Sequence, residues 1–172
     1  MINRKGKVGM ARIESSILVP KTVDDTFLFL NTRESHLKFI PRITEFNQTS
    51  SGVFGQVGAT VRGILRYFGV NIPVDYEIIE HQPNKKLAMK GKMGPVLFKD
   101  GYVLSQENDG TRITFWLELT MTGIAILFQP FAGLIGKIHA YETLRNLKRE
   151  LAIWHRSAKD KLASSGRIPS SQ

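Results

Sequence analysis

Apolar and polar positions alternate along most of this chain, then switch near its end to a spacing of three and four. A period of two marks half-buried strands, and the longer spacing marks an amphipathic helix. Met10–Val19 is predicted as the first strand, with Ile13, Ser15, Ile17 and Val19 on one face. Pro20 ends it. Thr22 can cap a helix over Val23–Leu30, with Asp24 and Asp25 in its first turn. A second short helix is predicted over Arg33–Phe39, stopped before Pro41. Strands follow at 43–49, 57–66, 70–80, 87–92, Val96–Glu107 and 112–122. Turn chemistry separates them: Ser50-Ser51-Gly52, Phe68-Gly69, Gln82-Pro83-Asn84-Lys85, Gly94-Pro95 and Asp109-Gly110. After a connection at 123–130, Phe131, Leu134, Ile138, Tyr141, Leu144, Leu147, Leu151 and Trp154 form the apolar stripe of one long helix. A strand, two short helices, six strands and a closing helix imply an α+β chain. A curved antiparallel sheet of six to seven strands would wrap around the C-terminal helix and enclose an apolar cavity.

Parity assigns the faces of the two hairpins. Around Phe68-Gly69, the inner set is Val57, Ala59, Val61, Gly63 and Leu65, facing Val70, Ile72, Val74, Tyr76 and Ile78. The outer set pairs Arg62 with Asp75 and Thr60 with Glu77, so these two carboxylates read as surface charge. A type I′ turn at Asp109-Gly110 pairs Leu104 with Phe115, Tyr102 with Leu117, Asp100 with Leu119 and Phe98 with Met121. That face is apolar except for Asp100. The opposite face carries Glu107, Ser105, Arg112, Thr114 and Glu118, with Trp116 among them.

Length and composition fit one domain, assigned to residues 10–158, between a basic N-terminal extension at 1–9 and a basic, disordered tail at 159–172. Hydrophobic residues make up 42%, enough for a sizeable core. The absence of cysteine excludes disulfides and thiol catalysis. Together with the lack of a signal-peptide pattern, it leads to the expectation of a cytoplasmic protein. The apolar stretch at 123–138 is broken by polar residues and glycines and is shorter than the roughly 20 residues that span a bilayer. The net charge of +9 gathers in Arg4, Lys5 and Lys7 and again in Arg145, Lys148, Arg149, Arg156, Lys159 and Lys161. This charge is either solubilising, or attracts an anionic surface of lipid headgroups or nucleic acid, or docks on an acidic partner. No nucleic-acid motif accompanies it.

Motifs in this order resemble the START-type helix-grip superfamily (SRPBCC), and within it the polyketide cyclase/dehydrase and lipid-transport branch. The matching residues are Pro20 with Val23 and Thr26-Phe27, then Ser51-Gly52 leading to Val57-Gly58-Ala59. They continue with Glu80-His81-Gln82-Pro83 and Leu87, then Gly110-Thr111-Arg112-Ile113-Thr114, and end with Leu144, Leu147-Lys148 and Leu151. The resemblance spans about residues 11–154. Phe39 stands where the family often has Trp. The resemblance implies a cavity for a hydrophobic ligand. It implies no particular reaction, because one fold hosts many functions.

The candidate ligand-binding residues are Val61, Leu65, Val74, Tyr76, Met89, Phe98, Asp100, Tyr102, Phe115, Leu117, Phe131, Ile135 and Ile138. Asp100 either holds a raised-pKa acid or a ligand hydroxyl, or sits at an open strand end or on a bulge. Asp100 and His139 are the weak catalytic candidates. His36, His81, His139 and His155 lack metal-ligand spacing, so no metal is expected, nor any other cofactor. The leading expectation is binding or transport of a lipid-like or polycyclic molecule. A cyclase/dehydratase-like enzyme using the same cavity, and an interaction module docking through the basic surface, are the alternatives. The sequence leaves the ligand and the oligomeric state open.

Overall fold

The structure, a computed structural model, describes residues 10–155; the basic segments at either end lie outside the described residues. Seven strands form one antiparallel sheet: β1 (Met10–Val19), β2 (Ile43–Gln48), β3 (Thr60–Tyr67), β4 (Val70–Gln82), β5 (Lys86–Met93), β6 (Val96–Glu107) and β7 (Gly110–Met121). Their spatial order is β1-β7-β6-β5-β4-β3-β2. Helices α1 (Val23–Leu30) and α2 (Arg33–Phe39) follow β1. A 3-10 turn over Gly123–Phe128 leads into α3 (Gln129–Ile153), which packs on β1, β7 and α2.

Local chemistry accounts for the element ends. Thr22 caps α1, its Oγ1 accepting from the Asp25 amide at 3.1 Å. That fixes a helix whose Thr26, Phe27, Phe29 and Leu30 are buried. The β3–β4 turn puts Phe68 at φ 50° and Gly69 at φ 82°, the positive pair that a two-residue hairpin of matching twist requires. Arg62 therefore stands opposite Asp75 on the outer face, as predicted, with Nε 2.8 Å from Oδ1. Both side chains are more than half exposed, so solvent screening leaves the pair little weight in stability.

Three expectations need correction. The β6–β7 turn lies at Asn108-Asp109, because Glu107 pairs with Gly110. The partners are then Leu104 with Ile113, Tyr102 with Phe115, Asp100 with Leu117 and Phe98 with Leu119. Neither Asn108 nor Asp109 takes a positive φ, so the turn is not type I′. Gly110 serves a close approach instead: a Cβ there would lie 2.0 Å from the Val19 carbonyl oxygen. The slip is two residues, so every side chain keeps its predicted face. β3 starts at Thr60 rather than 57, which leaves Val57 in a loop and exposed.

The third correction concerns α3. Leu144, Leu147 and Leu151 are buried as expected, each worth about 1.5–3 kcal/mol of transfer free energy. Phe131, Leu134, Ile138 and Tyr141 are exposed. In this half of the helix the sheet is met by Ala132, Gly136 and Ala140. A Cβ on Gly136 would lie 2.5 Å from Ile13 Cδ1 and 3.3 Å from Leu119 Cδ1. Backbone-to-sheet contact of this kind admits only small residues, so the bulky set turns outward. Gly136→Val should accordingly lower stability by about 1–3 kcal/mol through overpacking, despite valine's better helix propensity, as read by urea denaturation. A neutral or stabilising outcome would show that α3 can stand off the sheet.

Candidate functional site

Between the sheet and α3 lies a cavity of about 100 Å³. β3 contributes Leu65 and Tyr67, β4 Tyr76, and β5 Met93. β6 adds Val96, Phe98, Asp100 and Tyr102, and β7 adds Leu117 and Leu119. Ile40, just after α2, and Ile135, Gly136, His139 and Thr143 of α3 close it. The residues predicted by parity thus converge from β3, β4, β6, β7 and α3. Val61, Val74, Met89 and Phe115 are buried on the predicted face but do not line this cavity, and Val61 borders the larger groove instead. Phe131 and Ile138 are corrected: the helix turns them to solvent. Leu119 stood on the predicted inner face without being a named candidate, whereas Ile40, Tyr67, Met93, Val96, Gly136 and Thr143 were missed. The four-residue spacing of Ala132, Gly136 and Ala140 was the signal for the α3 wall.

The cavity is small because rings fill it. Phe98 lies over Gly91, where a Cβ would come within 2.2 Å of its ring. Tyr76 meets Phe98 edge-on at 5.5 Å and Phe46 at 5.4 Å. Tyr102 packs against Phe115 and Phe39. Phe39 is fully buried but does not line the cavity.

Asp100 is the chemical exception on this wall. β6 runs without a bulge through it, so the carboxylate points inward with Phe98 and Tyr102. Asp100 is 9% exposed, and its Oδ1 has no hydrogen-bond partner. Desolvation favours the neutral acid and pushes its pKa up to about 7. Burial, then the nearby Asp100 charge, raises the Tyr76 hydroxyl above its usual range, and Tyr102 follows for the same reasons. Across the cavity, the buried Thr143 Oγ1 also lacks a partner. One apolar cavity therefore holds two buried oxygens with unused hydrogen-bonding capacity, and leaving such groups unmade costs about 1–3 kcal/mol each.

His139 sits half-buried at the edge, where desolvation lowers its pKa, Glu142 works against that and Arg42 with it. Arg42 clamps Glu142 at 2.5 Å and lies over the Tyr67 ring at 5.2 Å. This ties the α2–β2 connection to α3 beside the cavity. His36 is a core histidine: it stacks on Phe46 at 4.7 Å, and burial pushes its pKa down to about 4. A larger open groove of about 670 Å³ crosses the outer sheet face. Two ion pairs cross it, Arg62 with Asp75 and Lys90 with Glu77, Lys92, Lys99 and Glu118 add further surface charge, and it gathers no buried unpartnered group.

The raised acid gives a signed prediction. The unfolded carboxyl ionises near 3.8 and the folded one near 7, so the folded state holds the extra proton between them. Relative to Asp100→Asn, the parent should lose stability as pH rises from about 4 to about 7. Above that the difference should level off at roughly 4 kcal/mol, at 1.36 kcal/mol per unit. His36 and His139 act oppositely, costing stability as pH falls, but they cancel in this comparison. Urea denaturation across the range decides the matter, and a pH-independent difference would mean that Asp100 is solvated.

No protein-family model matches this sequence, and a search of curated proteins finds no match. Solved structures do match. An aromatase/cyclase, ZhuI from Streptomyces sp. R1128, superposes with a TM-score of 0.72 at 11% identity, covering 87% of this chain and 98% of its own. Ara h 8.0201 gives 0.67 at 14% identity, covering 84% and 99%. A conserved protein from Geobacillus kaustophilus gives 0.66 at 18% identity, covering 84% and 97%. Strand order, gripping helix and these superpositions agree: the chain has the helix-grip fold.

Proposed function

We propose that this chain binds a hydrophobic small molecule, lipid-like or polycyclic, that carries a hydroxyl or similar donor and inserts it toward Asp100. The observation that carries the reading is the pair of buried, unpartnered oxygens, Asp100 Oδ1 and Thr143 Oγ1, facing an otherwise apolar cavity. Apolar walls supply affinity at about 25 cal/mol per Å² removed from water, and a few polar groups set orientation. At about 100 Å³ the cavity accepts one ring or the tip of a chain. A larger ligand needs Phe98 to turn or α3 to lift. A ligand donor would give the Asp100 carboxylate the partner that the protein withholds.

A second reading follows from the Asp100 pKa of about 7, which suits a general acid or base at neutral pH. In that reading the cavity folds a reactive chain, as the cyclase name of a structural neighbour suggests. Turnover would then follow one ionisation near neutrality and vanish in Asp100→Asn.

Phenols, polycyclic phenols and fatty alcohols, each beside its methyl ether, form the thermal-shift test. Hydroxyl ligands should raise the melting temperature by mass action, with roughly tenfold tighter binding than their ethers. Asp100→Leu should erase that preference, and Leu117→Phe, which fills the cavity, should abolish binding while keeping the fold. If no apolar ligand shifts the parent, or if ethers equal alcohols, the reading falls.

A further inference from the structure

The N-terminal half of α3 and the 3-10 turn before it present a surface that the fold does not use. Ile124, Leu127, Phe128, Phe131, Leu134 and Ile138 are between 50% and 81% exposed. On α3 these large side chains recur at helical spacing, opposite the small residues that meet the sheet. By length and composition the run Gly123–Ile153 would suffice to cross a bilayer. β1 and β7 hold its other face, however, with Gly136 pressed on Ile13. Such a helix can offer one side to lipid and cannot thread through it.

Charge identifies the occupant. From residue 123 to Tyr141 there is no acidic residue, and Lys137 carries the one full charge. Arg145 rests over the exposed Tyr141 ring at 5.7 Å, an aromatic and a cation side by side at the patch border. The first carboxylate beyond, Glu142, is neutralised by Arg42. The whole chain carries +9. Two copies meeting through this face would bring like charges together, whereas an anionic bilayer meets them as counter-charge. Large apolar side chains flanked by cations match interfacial insertion, in which the apolar face sinks roughly 5–10 Å into the headgroup boundary.

We infer that this chain docks on anionic membrane surfaces through the apolar face of the 3-10 turn and the first half of α3. Ile135 stands both on this face and on the cavity wall, 52% exposed. Docking would set the cavity's edge against the lipid. That consequence rests on the ligand-binding reading above; the docking itself does not.

The test floats the full chain with vesicles of zwitterionic lipid alone and with roughly a third anionic lipid added. The parent should rise with the anionic vesicles and release as salt increases. The double variant Leu134→Glu/Ile138→Glu should lose at least about tenfold in vesicle affinity with its melting temperature unchanged, since both side chains are exposed. Should the charged variant unfold early, Leu134→Gln/Ile138→Gln carries the same expectation. A parent that stays down with both vesicle types overturns the inference. So does a variant that binds as well as the parent, or a parent dimer that the variant splits without any vesicle binding. Alcohol binding measured without vesicles tests the cavity separately.

Discussion

The distance of closest approach between α3 and the sheet governs the rest of this structure. Ala132, Gly136 and Ala140 let the helix backbone settle on Ile13 and Leu119, and further along the larger Leu144, Leu147 and Leu151 are the buried residues. The cavity lies beside this contact, with Gly136, His139 and Thr143 on its wall. The same contact decides which side chains face out. A helix cannot seat Phe131 or Leu134 where Gly136 already touches a strand, so its bulk is displaced to the surface.

Asp100 shows how a sheet can hold a group that burial disfavours. Its position is set by strand parity, not by any contact of its own, and unbroken pairing with β5 and β7 leaves it no route outward. Neighbouring rings exclude water without supplying a hydrogen bond. The carboxyl responds by keeping its proton to near neutrality. The cost falls on the fold.

Much of this was legible beforehand. Period-two patterning placed Asp100, Tyr102 and Tyr76 inward even with the β6–β7 turn misassigned, because a two-residue slip conserves faces. Arg62 and Asp75 were found as neighbours because Phe68-Gly69 marks its turn without ambiguity. The inward side of α3 was not legible by hydrophobicity alone. Both sides of its first half are apolar, and ranking by size favours Phe131 and Ile138 over Gly136. Steric fit, which depends on Ile13 well over a hundred residues earlier, decides the matter. Cavity size was hidden for a similar reason: the space over Gly91 is filled by Phe98 from the next strand, and no spacing in the sequence records the tilt of a ring.

The pairing of the first strand with the last has a consequence for how the chain is made. Val19 must meet Thr111, ninety-two positions on. At about 5–20 residues added per second during synthesis, β1 waits some 5–20 s for its partner to emerge. Throughout that interval the segment lacks its sheet partner, and any extended form of it offers an unpaired edge open to mispairing. Its sequence suits the wait: Arg12 precedes Ile13, and Glu14, Ser15 and Ser16 separate Ile13 from Ile17, so no long apolar edge is offered to a neighbouring nascent chain. Only when β7 and then α3 have been made does Ile13 gain its cover, which makes closure of this fold wait for the synthesis of α3.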